Sequence, residues 1–96
     1  MSYLSKKEYK LLGFLPSNKK DKMYSAVLEN KKTKKIKYMD FGSRNYGNYR
    51  DITGLNLYPQ LIHNDKERRR LFRSRMKHNL KDGFYSSSFF AYKYLW

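Results

Sequence analysis

The side chains best equipped for chemistry in this sequence are guanidiniums, and they crowd into residues 64–78, Asn-Asp-Lys-Glu-Arg-Arg-Arg-Leu-Phe-Arg-Ser-Arg-Met-Lys-His. A guanidinium presents a planar fork of donors that matches a phosphate bidentately and stays charged at any physiological pH. At helical spacing Arg69, Arg73 and Lys77 stack along one face, with Arg68, Arg70 and Arg75 on its flanks. A row of like charges repels itself unless water or a polyanion screens it. No acid follows Glu67 inside the segment, so a phosphate-facing surface is the expectation and a solvated face the alternative.

Two further groups of residues bear on the same chemistry. Lys31, Lys32, Lys34, Lys35 and Lys37, with Lys19, Lys20 and Lys22 upstream, are point charges that meet phosphate without fixed orientation. Tyr46 and Tyr49 stand among glycines beside Arg44 and Arg50, which makes both tyrosines candidates for stacking on unpaired bases. Ordinary packing is the plainer role for each tyrosine. Catalysis finds little footing. His63 and His78 are fifteen positions apart, and His63 beside Asp65 reads as helix-cap polarity rather than a metal or acid–base pair. A tyrosine nucleophile at Tyr46 or Tyr49 would need an oriented pocket that so short a chain has little scaffold to build. No Gly-rich phosphate loop, Gly-x-Ser-x-Gly elbow or paired-carboxylate motif occurs. No catalytic residue, metal or cofactor is expected.

These groups need a scaffold, and the hydrophobic pattern supplies one. The arginine segment should be a helix over about 66–80, with Asn64 as N-cap, Glu67 completing a capping box, and Leu71, Phe72, Met76 and Leu80 as its apolar stripe. Gly83 should take the left-handed position that ends it. Upstream, residues 10–15 suit a short strand stopped at Pro16. Residues 23–29 alternate, placing Tyr24, Ala26 and Leu28 on one face. Across a polar turn at 30–33, residues 34–41 place Ile36 and Tyr38 on one side and Lys35 and Lys37 on the other. The two runs predict a β-hairpin with a basic tip and a basic outer face. Residues 42–54, carrying Gly42, Gly47 and Gly54, should be an irregular loop, and 55–62 an extended connection or a single helical turn. Ser86, Ser87 and Ser88 can cap a short terminal helix bearing Phe89, Phe90, Tyr92, Leu95 and Trp96. Those aromatics either fold back to complete the core or, through Phe89, Phe90, Tyr92 and Trp96, dock on another protein. Residues 1–9 read as a loosely ordered arm.

Ninety-six residues make one domain, 1–96, with a small core. The formal net charge is +14, which holds the compact state under self-repulsion and points to a polyanionic partner. Ten tyrosines and six phenylalanines are too many for a disordered basic tail. Without cysteine there is neither a disulfide framework nor a cysteine zinc site. No apolar run is long enough to span a bilayer, and no signal-peptide core follows Met1, so no membrane insertion is expected.

Taken in order, Lys19, Lys20, Tyr24, Ala26, Val27 and Leu28, then Phe41-Gly42, Tyr49 and Asp51, Asp65-Lys66 with Arg68-Arg69, Arg75, and the closing Tyr94-Leu95-Trp96 form a pattern. This pattern resembles a family of small, basic, uncharacterised proteins encoded by large double-stranded DNA viruses of amoebae and algae. The resemblance spans most residues from 13 to 96. Members often carry Arg-His in mid-helix, where this chain has Arg75-Met76. What the resemblance implies is a viral setting, in the virion and in the viral factory of the host cytoplasm or in the nucleus; it implies no particular activity.

The expected architecture is α+β: a small antiparallel sheet of about three strands packed with a basic amphipathic helix and a short aromatic C-terminal helix. The expected role is non-specific nucleic-acid binding, DNA favoured over RNA, in genome packaging or organisation. The alternative is a minor capsid or internal virion protein whose basic and aromatic surfaces contact other virion proteins.

Overall fold

In a computed structural model, which describes residues 3–96, the chain is an α+β domain. Strands β2 (Tyr9–Pro16), β3 (Lys22–Asn30) and β4 (Ile36–Ser43) form an antiparallel sheet in the order β2-β3-β4. A second, two-stranded ribbon joins β1 (Leu4–Ser5) to β5 (Phe84–Tyr85). Residues 3–9, expected as a loose arm, are therefore stitched to the far end of the chain, and Tyr9 already belongs to β2; Met1 and Ser2 lie outside the described residues.

The register decides which residues become core. Tyr24 pairs with Phe41 and Ala26 with Met39, so these four share the inner face with Leu28. Met23, Tyr24, Ala26, Leu28, Met39 and Phe41 are buried. A bulge at Leu12 in β2 breaks strict alternation and lets both Leu11 and Phe14 pack against this face. For β4 the expected sidedness is reversed. Ile36 and Tyr38 lie on the outer face, 40% and 63% exposed, while Met39 and Phe41 point inward. Residues 36–41 hold two competing apolar pairs two apart, and a one-residue choice exchanges the faces of a strand. The pair that meets Ala26 and Tyr24 at mid-sheet wins. The outer face consequently carries exposed apolar side chains on both edge strands, Leu12 and Leu15 on β2 and Ile36 and Tyr38 on β4, rather than Lys35 and Lys37.

The chain's last ten residues close the core. The Ser86 hydroxyl accepts the Phe89 N–H at 3.0 Å and caps α2 (Ser87–Phe90), which runs on as a wide turn over Ala91–Leu95. Phe90 and Leu95 are fully buried and Trp96 nearly so. Of the two fates open to these aromatics, Phe90 and Trp96 have taken the interior, and Phe89 and Tyr92 are half-buried. Phe90 packs against Phe41, Phe14 and Tyr85, with ring centroids 5.5, 6.1 and 5.5 Å away. Gly42, at φ +79°, lies beneath this segment; a Cβ there would come within 2.9 Å of Leu95 Cδ1 and 3.0 Å of Met23 Sδ.

Two polar clusters fix the loops. The Tyr24 hydroxyl donates to Asp51 and accepts the Leu57 N–H at 3.1 Å, pinning the 50–57 segment to the sheet. Burial, and then the Asp51 carboxylate, push the Tyr24 phenol up to about 12. On the outer face Asp40 accepts from the Ser17 hydroxyl at 2.7 Å and from Ser25, with Lys19 3.5 Å away. Burial alone would raise the Asp40 carboxyl, but the two hydroxyls and the ammonium outweigh it and hold it below its ordinary value.

Candidate nucleic-acid interface

Helix α1 spans Lys66–Met76 and tightens into a 3-10 turn over Lys77–Asn79. Its cap is Asp65, not Asn64. The Asp65 carboxylate accepts the N–H groups of Glu67 and Arg68 at 3.0 and 3.1 Å. Asn64 sits at φ +54° and turns its amide to the Tyr49 carbonyl, 2.9 Å away. Glu67 makes an ion pair with Arg70 instead of reaching back to a cap, and this contact holds the Glu67 carboxyl below its ordinary value. Gly83 does adopt positive φ, but in a turn closed by the Phe84 N–H on the Lys81 carbonyl, beyond the helix end.

The arginines divide between two faces, and the division is not the expected one. Arg69 and Arg73 turn toward the C-terminal segment. Arg69 Nε donates to the main-chain oxygen of Trp96 at 2.6 Å, and its guanidinium lies 4.7 Å from the Tyr49 ring centre. Arg73 lies over Tyr92 at 4.0 Å and reaches that residue's carbonyl at 3.5 Å. The cause is general: the last carbonyls of a helical segment lack intrahelical donors, and arginine can satisfy them while laying its stem on aromatic faces. The row read as phosphate-facing is therefore largely structural. Of that row Lys77 alone stays exposed.

The helix instead offers solvent Arg68 and Arg75, both exposed and neither in a hydrogen bond or ion pair among the described residues. Seven residues apart, they lie on one side of α1 about 10 Å from each other along its axis. Leu71 and Phe72 fall between them. Leu71, expected in the core stripe, is 51% exposed. Facing this side is a cleft of about 620 Å³ between α1, the end of β4, the 43–48 loop and α2. Phe41, Phe72, Met76 and Trp96 line its apolar part, Lys22, Arg68 and Arg75 supply its charge, and no acidic residue borders it. Trp96 is held there by a stack on Phe72, with centroids 4.3 Å apart and planes 8° from parallel.

The two candidate stacking tyrosines part company. Tyr49 is half-buried beneath Arg69 and edge-on to His63, so it packs. Tyr46 lines the cleft and is 71% exposed. Its loop is nevertheless anchored. The Asn48 N–H donates to the Leu61 carbonyl at 2.7 Å, and the His63 N–H donates to the Asn48 carbonyl at 3.0 Å. Gly47 permits that approach, since a Cβ there would stand 2.9 Å from His63 Cδ2.

Arg44 and Arg50, also expected at the interface, serve the fold. Arg44 donates to the Lys22 and Ser17 carbonyls at 2.6 and 3.3 Å, and Arg50 donates to the Lys93 carbonyl at 3.0 Å. His63 Nδ1 accepts the Asp65 N–H at 2.9 Å while its ring leans on Trp96. Burial first, then the nearby Arg68 charge, lower its proton affinity below the ordinary histidine value. Among the described residues no group of three or more His, Asp or Glu side chains is arranged to hold a metal, and no helix is long and apolar enough to cross a membrane.

The hairpin lysines form a separate basic region. Lys31, Lys32, Lys34, Lys35 and Lys37 are exposed around the β3–β4 turn, with Lys34 at φ +65° and Lys31 Nζ on the Lys6 carbonyl at 3.1 Å. Lys22, at the cleft, begins the strand whose other end carries this turn, so the two regions stand roughly 26 Å apart along β3. The cleft itself was missed in the sequence, although its signature, Arg68, Leu71, Phe72 and Arg75 at i, i+3, i+4 and i+7, is a plain helical pattern. Comparison with known proteins finds no matching family model, no matching curated protein and no matching solved structure.

Proposed function

We propose that this protein is a non-enzymatic nucleic-acid-binding module, DNA favoured over RNA, that engages phosphates without reading sequence and serves to package or organise a viral genome. The observation that carries this reading is the imbalance of charge on a folded body. The sequence has 22 Lys and Arg side chains, and among the described residues Lys10, Lys19 and Arg70 alone sit in ion pairs. Asp51 and Asp65 are engaged with Tyr24 and the α1 cap, so much of the acidic minority is taken up inside the fold. A polyanion relieves that repulsion with a gain from counterion release. The viral setting rests on the sequence resemblance, and with it a place in the virion and the viral factory or nucleus.

Purified protein should bind random-sequence DNA with an affinity that collapses as salt rises, log K falling by roughly 0.9 per phosphate contacted on duplex. Replacing Arg68 and Arg75 by Gln should make the slope shallower, and replacing Lys31, Lys32 and Lys34 should add a separate, smaller loss. Affinity unchanged between low and physiological salt would refute phosphate binding.

The alternative role, assembly within a particle, draws support from the outer face of the sheet. Leu12 and Leu15 on β2 and Ile36 and Tyr38 on β4 are exposed there, on the two edge strands. Fractionating virions separates the two roles: a packaging protein follows the genome core and an assembly protein follows the shell.

A further inference from the structure

We infer that the cleft beside α1 receives an unpaired base, so that the protein prefers single-stranded or locally opened nucleic acid to intact duplex. This rests on the nucleic-acid reading above and adds to it a class of substrate.

Three features of the cleft converge on such a ligand. Its charge is uniformly positive: Lys22, Arg68 and Arg75 border it and no carboxylate does. Its interior is aromatic, and about 620 Å³ is within the ordinary range for sites that enclose small organic groups. At its edge Tyr46 presents an exposed ring from a loop tied to residues 61–63, so the ring is on offer without being adrift. An apolar aromatic recess with cations at its rim suits a group that is flat on one side and anionic on the other. A nucleotide has that character, with the base entering and the adjoining phosphates meeting Arg68 and Arg75 about 10 Å apart. Duplex DNA offers phosphates but no free base face, so it reaches the rim and leaves the recess empty. Stacking on Tyr46 tolerates every base, which accords with binding that reads no sequence.

The chain's single tryptophan reports on the recess directly, because Trp96 lines it. The test titrates the full-length protein with oligothymidylate and with a duplex of equal phosphate count, at one salt concentration, following Trp96 emission and, independently, anisotropy of a labelled strand. Single strand should bind about ten-fold tighter and shift Trp96 emission, whereas duplex should bind without shifting it. Tyr46→Ala should lower single-strand affinity about ten-fold, as loss of one stacked base does, with duplex affinity and the melting temperature unchanged. Arg75→Gln should weaken both ligands. Equal affinities with Tyr46→Ala silent would overturn the base site while leaving phosphate binding intact, and a Trp96 signal unmoved by bound single strand would overturn it equally. Failure of both ligands to bind at low salt would remove the underlying reading as well. An acidic tyrosine-containing peptide that shifts Trp96 emission where oligothymidylate does not would make the cleft a protein-docking site and refute the proposal.

Discussion

Arg69 and Arg75 sit six residues apart on one helix in opposite settings, one engaged with the C-terminal segment and one exposed at the cleft, and a pair of substitutions tests whether their roles divide likewise. Arg69→Gln removes a charged donor 2.6 Å from the Trp96 main-chain oxygen and a cation resting on Tyr49. A hydrogen bond from a charged group contributes about 1.5–3 kcal/mol, and a partly desolvated cation–π contact about 0.5–2 kcal/mol. Glutamine keeps helix propensity, and easing repulsion with Arg68, Arg70 and Arg73 returns a few tenths of a kcal/mol. The net cost is therefore about 2–4 kcal/mol. For a domain of this size each kcal/mol moves the midpoint by about 4–8 °C, so Arg69→Gln should melt roughly 8–30 °C below the parent. Arg75→Gln changes an exposed side chain without a partner and should stay within about 0.5 kcal/mol. The assay is a circular dichroism melt beside a DNA titration well below either midpoint. There the pattern should invert: Arg75→Gln loses affinity and Arg69→Gln keeps it. Two variants melting together, or an Arg69 variant that alone loses binding, would refute the division of the helix into a structural and a ligand-facing side.

Removing residues 89–96 takes away Phe90, Leu95 and Trp96, each contributing about 1.5–3 kcal/mol of burial, so the truncated chain should show no cooperative melt; a retained midpoint would mean these side chains are dispensable to the core. At alkaline pH the folded Tyr24 holds its proton to about 12 while the unfolded phenol releases it near its ordinary 10. The unfolded state is thus the first to deprotonate, and stability should decline as pH rises above 10. Tyr24→Phe should remove that decline, seen in urea midpoints across the range, while lowering stability at neutral pH by orphaning Asp51. His63 has the opposite dependence: its folded pKa lies below that of the unfolded side chain, so the unfolded state binds the proton first and stability should fall as pH drops through about 6.5. A midpoint flat between pH 7 and 5, or an identical fall in His63→Gln, would exclude it.

Local rules carried the parts of this fold that are decided locally. Tyr24, Ala26 and Leu28 share a face because alternation demands it, and Ser86 caps α2 because its oxygen meets an unsatisfied N–H three residues on. Asp65 and Asn64 are equally good caps by type, and the choice fell to a contact Asn64 makes with Tyr49, fifteen residues away. The same distance effect hid the roles of Arg69, Arg73, Arg44 and Arg50. Each answers a carbonyl that no neighbour in sequence supplies, so charge and spacing alone cast them as free cations. Tyr46 and Tyr49, alike in composition and surroundings, were separated by the position of Arg69.

The pairing of Leu4 with Tyr85 and the burial of Trp96 bear on how the chain is made as well as on how it stands. The β2-β3-β4 meander is local and can pair as soon as it leaves the ribosome. Its inner face, with Tyr24, Leu28 and Phe41, lacks the cover of Tyr85 and Phe90 until residues 84–96 have been translated. At about 5–20 residues per second, that is an interval of seconds in which an apolar sheet is only partly covered. Contacts spanning nearly the whole sequence also raise the loop-closure cost of the final step and slow it. Strong positive charge distributed from Lys6 to Lys81 keeps such half-made chains apart. The same excess that underlies the proposed attraction to a polyanion thus also keeps nascent copies from one another.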